Sequence, residues 1–169
     1  MVLALRMISG NDPEIFTFLG EEIMAIRQSR AIWEGNLRKG QGTITFGSKG
    51  LEVPFSFAGR FEDGSGSNPE ELIGGAHAGC FSMALVHALG EENYPPVKVE
   101  TTAQVHLEKS DGGFTISKIE LDTVADVPTI DTDTFQRIAQ NAKNSCPVSK
   151  VLAGADITLQ AKLLSSQRA

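Results

Sequence analysis

Cysteine is scarce in this chain of 169 residues: there are two, Cys80 and Cys146. Small secreted scaffolds rely on dense, even-numbered cysteine frameworks, and one widely separated pair excludes that architecture. No CxxC occurs, and His77, His87 and His106 are too scattered for zinc-ligand spacing or an HExxH site. A basic patch is also missing. The longest basic cluster is Arg38-Lys39 and the formal net charge is −6. Nucleic acid is therefore not expected as a partner, because a phosphate backbone needs clustered Lys and Arg. No uninterrupted apolar run approaches the roughly 18 residues of a membrane span, so no membrane partner is expected. The opening residues MVLALRMISG lack the charged start, longer apolar core and small-residue cleavage site of a secretory signal. The expected location is the cytoplasm, where a lasting disulfide is rare and a transient redox one more plausible.

What is present suits one domain, with 41% hydrophobic residues. Residues 1–24 differ from the rest and read as an N-terminal extension, with room for a small helix over 13–24. Residues 25–169 read as a single domain. Residues 29–36 alternate weakly. Residues 42–47 and 51–58 read as the arms of a hairpin around Ser48-Lys49-Gly50, and 61–68 as a polar glycine loop. Asn68-Pro69-Glu70-Glu71 starts a helix, with a capping side chain, proline at the first position and acids at the positive end of the dipole. It should run to about Leu89 and stop at Gly90. It is apolar nearly all round, so it should be buried. Gly74, Gly75 and Gly79 cost helix propensity and suggest that another helix or chain comes close. Residues 97–109 and 114–126 form a second hairpin around Asp111-Gly112-Gly113. Residues 131–145 form an amphipathic helix with Phe135, Ile138 and Ala142 on one face. A short helix over 147–152 and a strand over 156–164 complete the order. Strands followed by helices without βαβ alternation indicate an α+β fold with antiparallel pairing.

The chemistry centres on GGAHAGCFSMAL, residues 74–85. A thiol reacts as its thiolate, and an apolar site alone keeps it protonated. Cys80 lies too deep in its helix to gain much from the dipole, so it needs a cation. Arg60, just before the helix, and Arg38, in the first hairpin region, are the candidates, and His77 sits one turn back. Glu70 can aim an arginine through a bidentate pair. An arginine stays charged in a dry pocket, stabilises the thiolate and polarises a peroxide O–O bond. The thiolate would become a sulfenic acid, which a second thiol condenses into a disulfide. From the residues alone the two cysteines could exchange roles, since Cys146 precedes Pro147 at a helix start that also favours a thiolate. Plainer readings stand beside these. A lone cysteine in an apolar helix is more often a core residue, and Glu70-Glu71 is most simply a favourable first turn. A Cys80–His77 hydrolase lacks a third group to orient the histidine.

Taken together, RFEDGSGSNPEELIGGAHAGCFSMAL (60–85) and NSCPVSKVL (144–152) resemble the OsmC/Ohr family, and its OsmC branch most closely. WEGNLRKGQG (33–42) and the hairpin over 99–121 resemble it too. The resemblance implies an intertwined homodimer with curved antiparallel sheets around two central cysteine-bearing helices, and active sites at the subunit interface. It implies a thiol-dependent peroxidase of organic hydroperoxides, and of hydrogen peroxide as a further substrate, serving oxidative and osmotic stress. By resemblance Cys80 is the peroxidatic cysteine, Cys146 the resolving one, and Glu70 the acid that pairs with the arginine. Arg60 matches the OsmC-like arginine and Arg38 the Ohr-like one. His77 has a lesser role. No metal, haem or flavin is implied. The reductant would be an external dithiol such as a lipoyl group. The alternative function is a redox-sensing or ligand-binding module with little turnover.

Overall fold

The computed structural model describes residues 26–47 and 50–164. The extension over residues 1–24, its expected helix, and Ser48-Lys49 of the first turn lie outside the described residues. The chain begins with a three-stranded antiparallel meander: β1 Ser29–Glu34, β2 Gln41–Phe46 and β3 Leu51–Ser56. Gly50 closes the β2–β3 turn at a φ of 63°, a conformation that side chains disfavour. Trp33 and Phe55 pack ring against ring, 5.4 Å apart, on this meander. Every residue of β1 is exposed or half-buried, so the meander carries little core of its own.

The strand expected over 51–58 stops at Ser56. Residues Phe57–Phe61 form a short helix, α1, where a strand end and loop were expected. The Ser56 hydroxyl accepts the Gly59 N–H at 3.0 Å, capping the turn. Phe57 and Phe61, four residues apart, then stack at 4.9 Å. Phe61 also stacks on Phe114 of the second sheet at 4.9 Å. Arg60 therefore projects from a pinned helical turn.

Helix α2 spans Pro69–Glu91. Asn68 caps it, its Oδ1 accepting the Glu71 N–H at 2.8 Å. The helix passes Gly90 and ends in a Schellman motif. Tyr94 N–H donates to Leu89 O at 2.8 Å, Asn93 N–H donates to Gly90 O at 3.0 Å, and Asn93 takes the left-handed φ of 64°. Sequence reading expected a glycine to stop the helix, and an asparagine does so.

The second sheet holds β4 Lys98–Ser110, β5 Gly113–Asp126 and β6 Asp156–Leu163. β4 and β5 are an antiparallel hairpin with a bulge at His106/Leu107, which adds local twist. β6 departs from the antiparallel expectation and runs parallel to β5. Helices α3 Thr132–Ser145 and α4 Pro147–Val151 supply the crossover that a parallel return requires. Asp131 caps α3, and Phe135, Ile138, Ala139 and Ala142 form its buried face. They pack with Phe81, Leu85 and Leu89 of α2 and Leu121 and Ala125 of β5 to make the core.

Only one face of α2 joins that core: Glu70, Gly74, His77, Phe81, Leu85 and Leu89 are buried. The opposite face is open within the chain. Gly75, Ala76 and Gly79 are exposed, Met83 is 75% exposed and Val86 44%. By length and mean hydropathy, 1.4, α2 is apolar enough to cross a membrane, a property the uninterrupted-run criterion missed. Here it packs against β4, α3 and α4 of its own chain. Gly74 has a packing reason: a Cβ there would lie 3.2 Å from Ala103 O of β4. The element close to Gly74 is strand β4 of the same chain, where another helix or chain was expected. A Cβ on Gly75 or Gly79 would meet nothing within 4 Å.

Replacing the cap, Asn68→Ala, should cost about 1 kcal/mol of stability, read as a lowered urea midpoint with an unchanged m-value.

Candidate functional site

The fold brings the two cysteines together from distant parts of the sequence. Cys80 sits mid-way along α2 and is half-buried. Cys146 is fully buried at the junction of α3 and α4. That junction is tight: Cys146 N–H donates to Ala142 O at 2.9 Å, closing α3, and Cys146 O accepts from Lys150 N at 3.1 Å, opening α4. Pro147 suits this position, since the first residue of a helix needs no N–H.

Burial pushes the Cys80 thiol above its ordinary value. The Val148 N–H opposes this, while hydrogen bonding and charge from Cys146 add to it. Cys146 shifts the other way. Burial is again the largest single influence and acts upward. The Ser149 N–H, the Ser149 hydroxyl, the Cys80 thiol and the Val148 N–H outweigh it together, and the net shift is downward. Within one chain the hydrogen bonds thus favour the thiolate on Cys146, the less accessible sulfur. The better-exposed sulfur, Cys80, is the weaker acid.

His77 points at this junction from α2. It is fully buried, and its Nε2 lies 2.8 Å from Ser149 Oγ. Its Nδ1 is buried without a hydrogen-bond partner. Burial lowers its pKa, so the imidazole is held neutral. No carboxylate orients it, so the third member that a Cys80–His77 hydrolase needs is missing among the described residues. Ser149 is not among the residues that the sequence marks as functional. The available signal was its position three residues after the cap position of α4, where side chain and N–H both turn back toward residue 146.

Arg60 and Glu70 form the other half of the site. Arg60 Nη2 donates to Glu70 Oε1 at 2.6 Å, and Arg60 Nε lies 3.2 Å from each carboxylate oxygen. This is a bidentate, charge-assisted pair, with the Glu70 side chain 11% exposed and that of Arg60 35%. Arg60 also lies over the Phe61 ring at 5.1 Å. A cleft of about 320 Å³ opens beside the pair, between Asn68 and Glu71 at the start of α2 and Ala103, Val105 and Leu107 of β4. Arg38 stacks over Phe57 at 5.2 Å instead. Of the two candidate arginines, Arg60 is the one held by Glu70.

The two halves do not meet within one chain. Glu70 and Cys80 are ten positions apart on one continuous helix. At 1.5 Å rise per residue they are separated by about 15 Å along its axis. Among the described residues, no group of three or more His, Cys, Asp and Glu side chains is placed to hold a metal ion.

Comparison with known proteins finds relatives along most of the chain. The family profile described as OsmC-like protein matches residues 62–162. The chain is 50% identical over 140 residues to the peroxiredoxin OsmC of Escherichia coli strain K12, covering 82% of this chain and 97% of that protein. It is 36% identical over 104 residues to the organic hydroperoxide resistance protein OhrB of Bacillus subtilis, covering 60% of this chain and 74% of that one. The crystal structure of OhrB superposes with a TM-score of 0.59 at 27% identity, over 81% of this chain and 98% of that one. An organic hydroperoxide resistance protein OsmC from Legionella pneumophila shares the fold, with a TM-score of 0.63 at 21% identity, over 82% of this chain and 99% of that one. With the profile spanning both cysteine motifs and half of the residues shared with a curated relative along nearly its whole length, the chain belongs to the OsmC-like family.

Proposed function

We propose that the protein is a thiol-dependent peroxidase that reduces organic hydroperoxides, with hydrogen peroxide as a further substrate. The observation that carries this reading is the meeting of Cys80 and Cys146, one half-exposed and one fully buried, with a bidentate Arg60–Glu70 pair held ready elsewhere. The names peroxiredoxin and organic hydroperoxide resistance protein, borne by relatives, support the same chemistry. Cys80 attacks the peroxide, since a buried sulfur meets no substrate. Its thiolate takes the outer oxygen and becomes a sulfenic acid, and the alcohol leaves. Cys146 then displaces the oxygen to give an intrachain disulfide. A dithiol such as a lipoyl group returns the pair to thiols. The cleft walled by Ala103, Val105 and Leu107 suits the apolar part of an organic hydroperoxide.

The separation of Cys80 from Arg60 and Glu70 leads to a two-chain active site. The open face of α2 and the thinly packed meander are the surfaces that a second copy would cover. Gly75 lies halfway between Glu70 and Cys80. Two antiparallel copies of α2 related by a two-fold axis near Gly75 set Glu70 of each chain level with Cys80 of the partner subunit. Gly75 and Gly79, open in one chain, then permit close helix approach. The Arg60 guanidinium, charged in any environment, supplies the cation that Cys80 lacks.

Three measurements test this reading. One equivalent of an organic hydroperoxide, added without thiol, should remove about 2 Da from the intact mass as the disulfide forms. Cys80→Ser should abolish turnover, whereas Cys146→Ser should complete one turnover and then over-oxidise; equal first-turnover rates in both variants would reverse the roles. Many equivalents consumed per chain with a dithiol present separates an enzyme from a redox switch.

Shared sites give a further expectation. Cys80→Ser and Glu70→Gln proteins, each inactive alone, should recover roughly a quarter of parent activity when mixed and reassorted, because half the dimers then hold one complete site of two. No recovery would place the whole site in one chain.

A further inference from the structure

His77 and Ser149 are left over from the peroxidase reading, yet both are buried against its resolving cysteine. We propose that they form a relay that takes up the Cys146 proton as Cys146 attacks oxidised Cys80; this rests on the cysteine roles given above.

Three observations carry it. First, His77 and Ser149 come from different elements, α2 and α4, and meet at 2.8 Å in the interior. The contact therefore ties the Cys80 helix to the Cys146 turn. Second, Cys146 is the cap residue of α4 and Ser149 stands three residues on, in the first turn, so the buried Ser149 hydroxyl lies on the Cys146 side of His77, and its polarity acts on the Cys146 thiol. The three groups thus stand in sequence, Cys146 beside Ser149 and Ser149 bonded to His77 Nε2. Third, His77 Nδ1 is buried and unpartnered. An unpaired buried nitrogen is costly, and a mere cross-link between α2 and α4 has no use for a second ring nitrogen. What an imidazole adds over an amide is the capacity to gain a proton.

The surroundings keep the imidazole available as a base. Burial alone shifts it, and no charged neighbour contributes. On α4, Lys150 is exposed. On α3, Lys143 is committed to Ile157 O and Arg137 to Glu92. On β4, His106 is held by Glu120 and Lys98 by Glu100. On α2 itself, Glu70 is paired with Arg60, and Cys80 is the titratable group one turn away.

The relay works by reversing its hydrogen bonds. With Cys146 protonated, the thiol points at Ser149 Oγ, and the Ser149 hydroxyl donates to Nε2 of neutral His77. The Cys146 sulfur pair then forms the S–S bond to Cys80, and the Cys80 S–O bond breaks. Hydroxide leaves, and the Cys146 proton passes through Ser149 to His77. The imidazolium now donates to Ser149 Oγ. Its proton and the departing hydroxide amount to one water, so thiol and sulfenic acid yield disulfide and water without an outside oxidant. On this proposal Ser149 hands the proton on from the reacting sulfur; His77 acts through it and is a positioning residue.

The test separates sulfenic acid formation from disulfide closure by rapid mixing, acid quench and intact mass. Ser149→Ala should close the disulfide roughly tenfold or more slowly at neutral pH while forming the sulfenic acid at the parent rate, and Ser149→Thr should restore closure. His77→Gln keeps a group able to bond Ser149 but cannot take a proton. Its closure should lag at neutral pH and meet the parent at alkaline pH, where the thiol ionises without a base. Closure at the parent rate in Ser149→Ala and His77→Gln overturns the relay, as does a deficit of the same size at every pH. A parent protein that forms no disulfide overturns the cysteine reading beneath it; the two failures are distinct. Ser149→Ala and Ser149→Thr keep the test open should His77→Gln not fold.

Discussion

Ten residues of unbroken helix separate the acid that holds the arginine from the thiol that needs it. A helix does not compress, and Asn68 at one end and the Schellman turn at the other fix α2 as one rigid rod. Everything chemical in the chain is arranged around that rod. Glu70 is in its first turn, His77 and Cys80 are in its middle, and Leu85 and Leu89 anchor its far end in the core. One face is buried by the chain itself, and the other is left bare. The same rod holds the two halves of the site apart within one chain and presents a bare face alongside them.

The cysteine pair shows how burial and hydrogen bonding divide the work. A thiol in an apolar setting is a poor nucleophile, and both sulfurs are in one. For Cys146 the loss of water is more than offset by donors from the start of α4, so the concealed sulfur is the better acid. For Cys80 the single Val148 N–H does not offset burial. Accessibility and acidity are thus split between two residues. A resolving thiol gains from being acidic and hidden, because its only target is the neighbouring sulfur. A peroxidatic thiol must be reachable and must obtain its charge stabilisation from outside its own helix.

Much of this was legible in the sequence, and the exceptions have local causes. NPEE announces a helix start through proline, acids and a capping side chain, and the start fell where expected. The amphipathic spacing of Phe135, Ile138 and Ala142 gave α3 its buried face. The α1 turn was missed because FAGRF lacks helix length; its hold comes from the Ser56 cap and from Phe114, more than fifty residues away. The parallel pairing of β6 was missed because strand direction depends on how α3 and α4 cross the sheet, which no local pattern records. From residue types alone Glu70 could aim either Arg60 or Arg38, and only the family resemblance favours Arg60, which is the arginine that Glu70 holds. Ser149 was overlooked because its importance lies in a contact with His77, across 72 positions of sequence.

On the two-chain reading, assembly and reactivity become one event. Within a single chain Cys80 is held above its ordinary pKa, and the Arg60 charge is spent on Glu70. A guanidinium brought within about 4–6 Å of a thiol favours the thiolate by roughly one to three pKa units. That opposes the burial that holds the Cys80 thiol up. Glu70 is needed for aim rather than for charge, since it holds the Nε–Nη2 edge of the guanidinium and leaves Nη1 outside the pair. A lone chain would then be chemically quiet. Its exposed thiol would remain protonated, and its acidic thiol would remain sealed behind Ser149, His77 and the core.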